Sequence, residues 1–438
     1  MRLSILSLII AAAAQSSVSS MASMSGMVSS ASGSMMSASA TASNMPAVNN
    51  TLNTNTVEAV LLSMPNLSNF TAFTSLIPAL SNLLSESREK TLLVPSNAAM
   101  TAYFKTGMVS PSNTSALTNL LSYHILGGMY TAANLGGNNV TTVATTALID
   151  PMVNGNQTVV LMHEGPSIFV MSGLAQNTSV TSAGHAFDHG VIHVIDTVLT
   201  LPTNITLTAA TVGASSFAGA LNATNLTETI MMTPSLTYFV PSNVAFSQVG
   251  SLFTSASNMT ISSLLQYHMI KGIEYTTDLS NGQVLTSMSG GLVRVVENNG
   301  VFFVNTAEVL VPNILVENGV IHIIDSVLNP NATLAETTPN VSAVSRAPAL
   351  TGASKVSVAP FASLAPSVSS TEMSVAAKAS GGMQMSSASA AASSVSAAAS
   401  SSSVIAAGGT PSSSKAFADS LRVPVYEMVI GAIVYVLV

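Results

Sequence analysis

The apolar and polar positions between about residues 52 and 330 write one series of elements twice. "VEAVLLSM" (57–64) and "FTAFTSLIPALSNLLSE" (70–86) space their apolar residues with a helical period. So do "LTAATVGASSFAGALNA" (207–223) and the segment around Ile230. A short apolar run follows each, "TLLV" (91–94) or "TYFV" (237–240), read as a strand that stops at Pro95 or Pro241. Ser96-Asn97 and Ser242-Asn243 then supply side-chain oxygens suited to cap the first amides of a helix. "TSALTNLLSYH" (114–124) and "TISSLLQYH" (260–268) predict one more helix apiece. "LVRVVENNGVFFVN" (292–305) alternates about Asn299-Gly300, a strong hairpin signal. The last strand places Val191, His193 and Ile195 on one face and Ile192, Val194 and Asp196 on the other. With both faces largely apolar, it is expected to be buried.

The repetition extends to identity. "GVIHVIDTVL" (190–199) returns as "GVIHIIDSVL" (319–328), with Val to Ile and Thr to Ser the only differences. "TLLVPSNAAM" (91–100) returns as "TYFVPSNVAF" (237–246), and "LLSYHILGG" (120–128) as "LLQYHMIKG" (264–272). The three landmarks keep their order, so the chain holds two homologous units of the α+β class, at 52–202 and 205–330.

Composition changes the picture in one respect: only 7% of residues are charged, and the formal net charge is -7. The basic residues between 50 and 340 (Arg88, Lys90, Lys105, Lys271, Arg294) are scattered, which excludes the basic stripe that nucleic acid demands. Solubility must come from elsewhere. Asn-x-Ser/Thr acceptors at Asn49, Asn66, Asn69, Asn113, Asn139, Asn156, Asn177, Asn204, Asn222, Asn225, Asn258, Asn331 and Asn340 predict a heavily N-glycosylated secreted ectodomain. Cysteine is absent, so each unit must rest on its own core.

The two ends carry their own signals. "MRLSILSLIIAAAA" has the layout of a secretory signal peptide, assigned to 1–20 with cleavage between Ala14 and Ser20. Residues 21–51 and 331–411 are rich in Ser, Ala and Thr, with too little apolar surface to offset their ordering entropy; both are expected to be disordered, the second as an O-glycosylated stalk. Met21, Met24, Met27, Met35 and Met36 offer soft thioethers to copper(I), but low complexity accounts for them more simply. Residues 412–438 join small residues, a polar spacer and the apolar "VPVYEMVIGAIVYVLV". That is the pattern of a glycosylphosphatidylinositol attachment signal, with Ser412 as the attachment residue and Gly408 in reserve.

One stretch invites a catalytic or metal reading. "HAFDHGVIH" sets His185, Asp188, His189 and His193 close together, and three His at helical spacing would suit zinc. Gly190 and the β-branched run after it read as turn and strand, however, and Ile314 and Asn318 stand in the second copy where His185 and His189 stand in the first. No Gly-x-Ser-x-Gly or phosphate-cradling loop accompanies the histidines. No catalytic residue, metal or cofactor is therefore expected, and the protein is read as a non-enzyme.

The Val-Pro-Ser-Asn segment, the Tyr-His pair and the Gly-Val-Ile-His-x-Ile-Asp strand, in that order, resemble the fasciclin domain family over both units. Met100 stands where the family favours Phe, and the first copy carries a longer stretch before its closing strand. The resemblance implies tandem domains in which a twisted β-wedge packs with several helices, displayed outside the cell for adhesion or for wall or matrix attachment. Animal members are associated with integrin binding near the Tyr-His pair and the closing strand. The positions so implied as an adhesion or structural motif are Tyr123, His124, His193 and Asp196, and Tyr267, His268, His322 and Asp325. The Ser/Ala-rich layout looks more like that of a fungal wall or surface protein, while the pairs Ala347-Pro348, Ala359-Pro360 and Ala365-Pro366 leave plant arabinogalactan-type relatives open. The partners expected are surface, wall or matrix components or a second copy of the chain, with the membrane reached through the lipid anchor. An alternative is a vacuolar or endomembrane protein whose luminal domains help membranes associate.

Overall fold

The structure is a computed structural model and describes residues 55–131, 133, 140–164, 167–332, 350, 352–370 and 372. The expected signal peptide, the segment 21–51 with its methionines, residues 333–349 and 373–411 of the expected stalk and the attachment signal with Ser412 lie outside the described residues. The chain divides into two compact units, one of residues up to Ser172 with Thr178–Leu201, the other of Gly173–Asn177 with Pro202 onward.

The first unit opens with helices α1 (Val57–Leu62), α2 (Ser68–Leu76) and α3 (Pro78–Ser85), followed by strand β1 (Lys90–Pro95). Helices α4 (Asn97–Thr106) and α5 (Thr114–Tyr123) lead into β2 (Ile125–Gly127). Five more strands complete it: β3 (Val140–Asp150), β4 (Gly155–Glu164), β5 (Ser167–Met171), β6 (Asn177–Phe187) and the closing β7 (Gly190–Ile195). The seven strands form a closed barrel in chain order. Its seam is the parallel pairing of β1 with β7, in which Leu93 stands opposite His193.

The second unit repeats the plan. Helices α6 (Ile205–Thr211), α7 (Ser215–Ala223) and α8 (Thr227–Met231) precede β8 (Leu236–Pro241). Helices α9 (Asn243–Gln248), α10 (Gly250–Ser255) and α11 (Asn258–Tyr267) precede β9 (Met269–Lys271). Then come β10 (Val284–Thr286), β11 (Leu292–Asn298), β12 (Val301–Val304), β13 (Ala307–Val316) and the closing β14 (Gly319–Ile324). The sheet order is β10-β11-β12-β13-β14-β8-β9, and a bridge from Ile270 to Ser287 curls its ends together. Again the first and closing strands run parallel, with Phe239 opposite His322.

Strand alternation sorts each unit into two cores. Leu92, Val94, Ile192 and Val194 face the helices, in a cluster with Phe70, Leu80 and Leu120. Leu93 and Ile195 face the barrel interior with Tyr123, Val159 and Val170. The second unit sorts Tyr238, Val240, Ile321 and Ile323 outward and Phe239 and Ile324 inward. The closing strands are buried along their whole length. The hairpin forms at Asn299-Gly300, with φ of 53° and 82°, the positive pair that a two-residue turn between twisted strands requires.

The expected stalk needs one correction. Residues 353–366, within the 331–411 stretch read as free chain, lie against the second unit and include a single 3-10 turn, Ala362–Leu364. Composition misleads here because one aromatic residue, Phe361, packs against the second unit's core.

Candidate functional site

The residues shared by the two copies converge around the β1–β7 and β8–β14 seams. Tyr123 and His124 end α5, and Tyr267 and His268 end α11. Each tyrosine is driven inward by its large apolar ring, and its hydroxyl finds a carbonyl across the sheet. Tyr123 Oη donates to Thr158 O at 2.8 Å, and Tyr267 Oη to Leu292 O at 2.8 Å. Asn305 Nδ2 adds a further bond to Tyr267 at 3.1 Å.

The histidine after each tyrosine is the C-cap of its helix and is fully buried. His124 Nδ1 lies 2.7 Å from Leu120 O, which can only accept, so this nitrogen carries the proton. Its Nε2 accepts from Leu199 N–H at 3.0 Å. His268 repeats both bonds, donating to Leu264 O at 2.8 Å and accepting from Leu328 N–H at 2.9 Å. Each ring thus staples a helix end to the chain leaving the closing strand. Burial pushes both imidazoles down, to about 4, against the smaller opposing pull of the helix carbonyl.

The strand histidines use the other tautomer. His193 Nε2 donates to Tyr130 O at 2.7 Å, and Nδ1 accepts from Gly184 N–H at 3.2 Å. His322 Nε2 donates to Glu274 O at 2.9 Å, and Nδ1 accepts from Asn313 N–H at 3.3 Å. The Gly184 and Asn313 amides lie at register shifts of β6 and β13 against the closing strands. The imidazole thus satisfies an amide at a break in the ladder. His322 also stacks on Phe239, ring centroids 5.5 Å apart, and burial lowers it to about 4. Burial lowers His193 too.

Asp196 and Asp325 do parallel work at the end of the strand. Asp196 Oδ1 accepts from Ser179 N–H and from Thr197 Oγ1, both at 3.1 Å. Asp325 Oδ1 accepts from Glu308 N–H at 3.0 Å and Ser326 Oγ at 2.8 Å. Asp196 is exposed and Asp325 half-buried, so among the eight motif side chains only the aspartates reach the surface. Chemically the arrangement is a brace: every one of its imidazoles has both ring nitrogens engaged by backbone.

Two further pairs belong to this brace: one was missed in the sequence, and the other was read there only as part of a helix cap. Thr91 Oγ1 donates to Gly128 O at 2.9 Å and accepts from Tyr130 N–H at 2.8 Å; Thr237 repeats this with Gly272 and Glu274. Ser96 and Ser242 cap their helices as the pattern implied, but the asparagine beside each reaches a different helix. Asn97 Oδ1 accepts from Asn69 N–H at 2.9 Å, and Asn243 Oδ1 from Ser216 N–H at 2.8 Å. The signal was present, since both the threonine and the asparagine recur in the second copy.

The zinc-like cluster does not assemble as a set. His185 pairs with Ser182 at 2.8 Å, His193 is committed as above, and no group of three His, Cys, Asp or Glu able to hold a metal occurs among the described residues. Of the sequons, Asn66, Asn113, Asn156, Asn222, Asn225, Asn258 and Asn331 are exposed and Asn69, Asn177 and Asn204 half-buried. Asn49, Asn139 and Asn340 lie outside the described residues. No described helix is long and apolar enough to cross a membrane.

The family comparison agrees with this duplicated plan. A model of the fasciclin domain matches residues 65–202 and 212–330. A fasciclin-like arabinogalactan protein of Arthroderma benhamiae is 32% identical over 321 residues, covering 70% of this chain and 74% of that protein. Another protein so named, from Cercospora beticola, is 31% identical over 165 residues, or 37% of this chain and 44% of its own. Periostin of Homo sapiens is 31% identical over 180 residues, 40% of this chain and 19% of periostin. The solved domain pair from the insect cell adhesion molecule fasciclin I covers 60% of this chain and 97% of its own, at 21% identity and a TM-score of 0.31.

Proposed function

The chain belongs to the fasciclin domain family, with two copies in tandem, and from that premise we propose that it is a glycosylated, lipid-anchored surface protein mediating cell–cell, wall or matrix adhesion. The observation that carries this reading is the similarity to the Arthroderma fasciclin-like arabinogalactan protein, which spans most of both chains. Exposed sequons on both units support display in the secretory pathway. The buried brace supports binding rather than catalysis, because its imidazoles are neutral and spent on backbone partners. Adhesive contact is then made by the exterior of the units, with Asp196 and Asp325 the motif residues within reach of a partner. Ser412 is the attachment residue in this reading, and the chain between it and the second unit provides reach.

The test uses intact cells expressing the full chain. Phosphatidylinositol-specific phospholipase should release the protein into the medium and abolish attachment of those cells to one another or to a wall or matrix preparation. A chain ending at residue 411 should be secreted and should not restore attachment. Protein retained in a vacuolar compartment, with no surface pool for the enzyme to release, would overturn this reading in favour of a luminal role in membrane association.

A further inference from the structure

The second unit has a groove that the first has filled. The bonds from Asn97 to Asn69 and from Asn243 to Ser216 set the register between copies, so that Ala72, Phe73 and Phe104 correspond to Gly219, Ala220 and Gly250. In the first unit the rings of Phe73 and Phe104 meet 5.4 Å apart and close the face between α2 and α4. In the second unit the same positions are stripped to two glycines and an alanine. The space is taken by residues 353–366.

This segment is held by several independent contacts. A Cβ on Gly219 would stand 1.9 Å from Phe361 O, and one on Gly250 2.1 Å from Val356 Cγ2, so the chain approaches as closely as glycine permits. Ser354 and Ser251 exchange bonds: Ser251 N–H donates to Ser354 O at 3.2 Å, and Ser354 N–H to Ser251 Oγ at 2.7 Å. Val356 N–H donates to Ser247 O at 2.9 Å, and Asn222 Nδ2 to Leu364 O at 2.9 Å. Phe361 lies edge-on to Phe253 at 5.5 Å, extending a stack that Phe253 makes with Phe246 at 5.3 Å. Phe361 also holds φ of 62°, a left-handed conformation that an L residue rarely adopts, while its half-buried ring packs against the second unit's core.

We propose that the face of α7 and α10 is a peptide-docking site whose occupant is this chain's own 353–366, an intramolecular clasp that completes the second unit. Only residues 333–352 separate the described end of the second unit from the clasp. A connection that short keeps the local concentration of the clasp in the millimolar range, which favours docking on its own unit over docking on a neighbouring copy.

The experiment is limited proteolysis of the enzymatically deglycosylated full chain, with mass mapping of the cuts, on wild type, Phe361→Ala and Gly250→Val. Cuts between 353 and 366 should be at least tenfold slower in wild type than in either variant, while fragments of the first unit form at unchanged rates. Equal rates in wild type and Phe361→Ala would overturn the proposal. Should Gly250→Val fail to fold, Phe361→Ala alone decides, since that ring belongs to the clasp and not to the body of the unit. Size-exclusion chromatography at micromolar concentration should show a monomer. A dimer that Phe361→Ala dissolves would overturn the intramolecular assignment and identify a second copy as the occupant.

Discussion

At the scale of single residues, the repeated histidines behave as polar staples inside an apolar body. Each imidazole of the brace accepts one backbone N–H, and protonation would turn that acceptor into a donor facing a donor. His124, His268 and His322 are lowered from 6.5 to about 4, so the unfolded chain binds more protons than the folded one between those values. Their stabilisation is complete above pH 6.5 and is lost progressively as pH falls to about 4, at about 3 kcal/mol per imidazole. The second unit, which contains two of the three, should therefore lose more of its melting temperature between pH 7 and 4.5 than the first; thermal unfolding across that range checks this. His193→Ala should lower the melting temperature of the first unit by leaving the Gly184 amide and the Tyr130 carbonyl unpaired. Unchanged stability with lost adhesion would instead place His193 in the binding surface. Among the described glycines Gly319 leaves the least room for a side chain: a Cβ there would meet Leu236 O at 1.8 Å. Gly319→Ala should cost roughly 3 kcal/mol or more by urea denaturation, because backbone must move on both seam strands.

At the scale of elements, each Ser-Asn pair performs two tasks that a linear reading merges into one. The serine caps the helix it precedes, and Ser242→Ala should cost about 1 kcal/mol, the ordinary value for a lost N-cap. The asparagine pins a helix from earlier in the chain, with Asn243 Oδ1 taking the Ser216 amide and Nδ2 reaching Ser215 Oγ at 3.0 Å. Asn243→Ala should accordingly match or exceed that cost and, unlike Ser242→Ala, should raise hydrogen exchange at the start of α7. Equal exchange in the two variants would show that α7 is held by packing alone. Lys90 plays a related part in the first unit, where its buried Nζ donates to the carbonyls of Leu83, Leu84 and Glu86 at the end of α3.

At the scale of the whole molecule, duplication bears on how weak contacts become useful. Two linked copies engaging one surface gain through effective concentration what neither has alone, provided both reach it. Deleting 205–330 should then reduce cell aggregation by at least tenfold while leaving surface display, read by antibody against the first unit, within a factor of two. Equal aggregation would assign adhesion to the first unit alone.

What the sequence determined by itself is what depends on near neighbours along the chain. Helical spacing in 57–64 and 207–223, the capping serines and the Asn299-Gly300 turn each follow from the conformational preferences of a few adjacent residues. The double writing of Gly-Val-Ile-His-x-Ile-Asp was enough to place a buried strand at the close of each unit. The tertiary structure decided everything that requires residues remote in sequence to meet. The parallel seam between β1 and β7 joins segments about a hundred residues apart, and only there do Leu199 N–H and Tyr130 O become the partners of His124 and His193. The same holds for the clasp. Its Ala, Ser and Pro composition carries too little apolar surface to order itself, and its docking depends on one ring, Phe361, meeting a face that Gly219 and Gly250 leave open more than a hundred residues earlier. Shape complementarity of that kind exists only once both surfaces have been folded, so no window of sequence contains it.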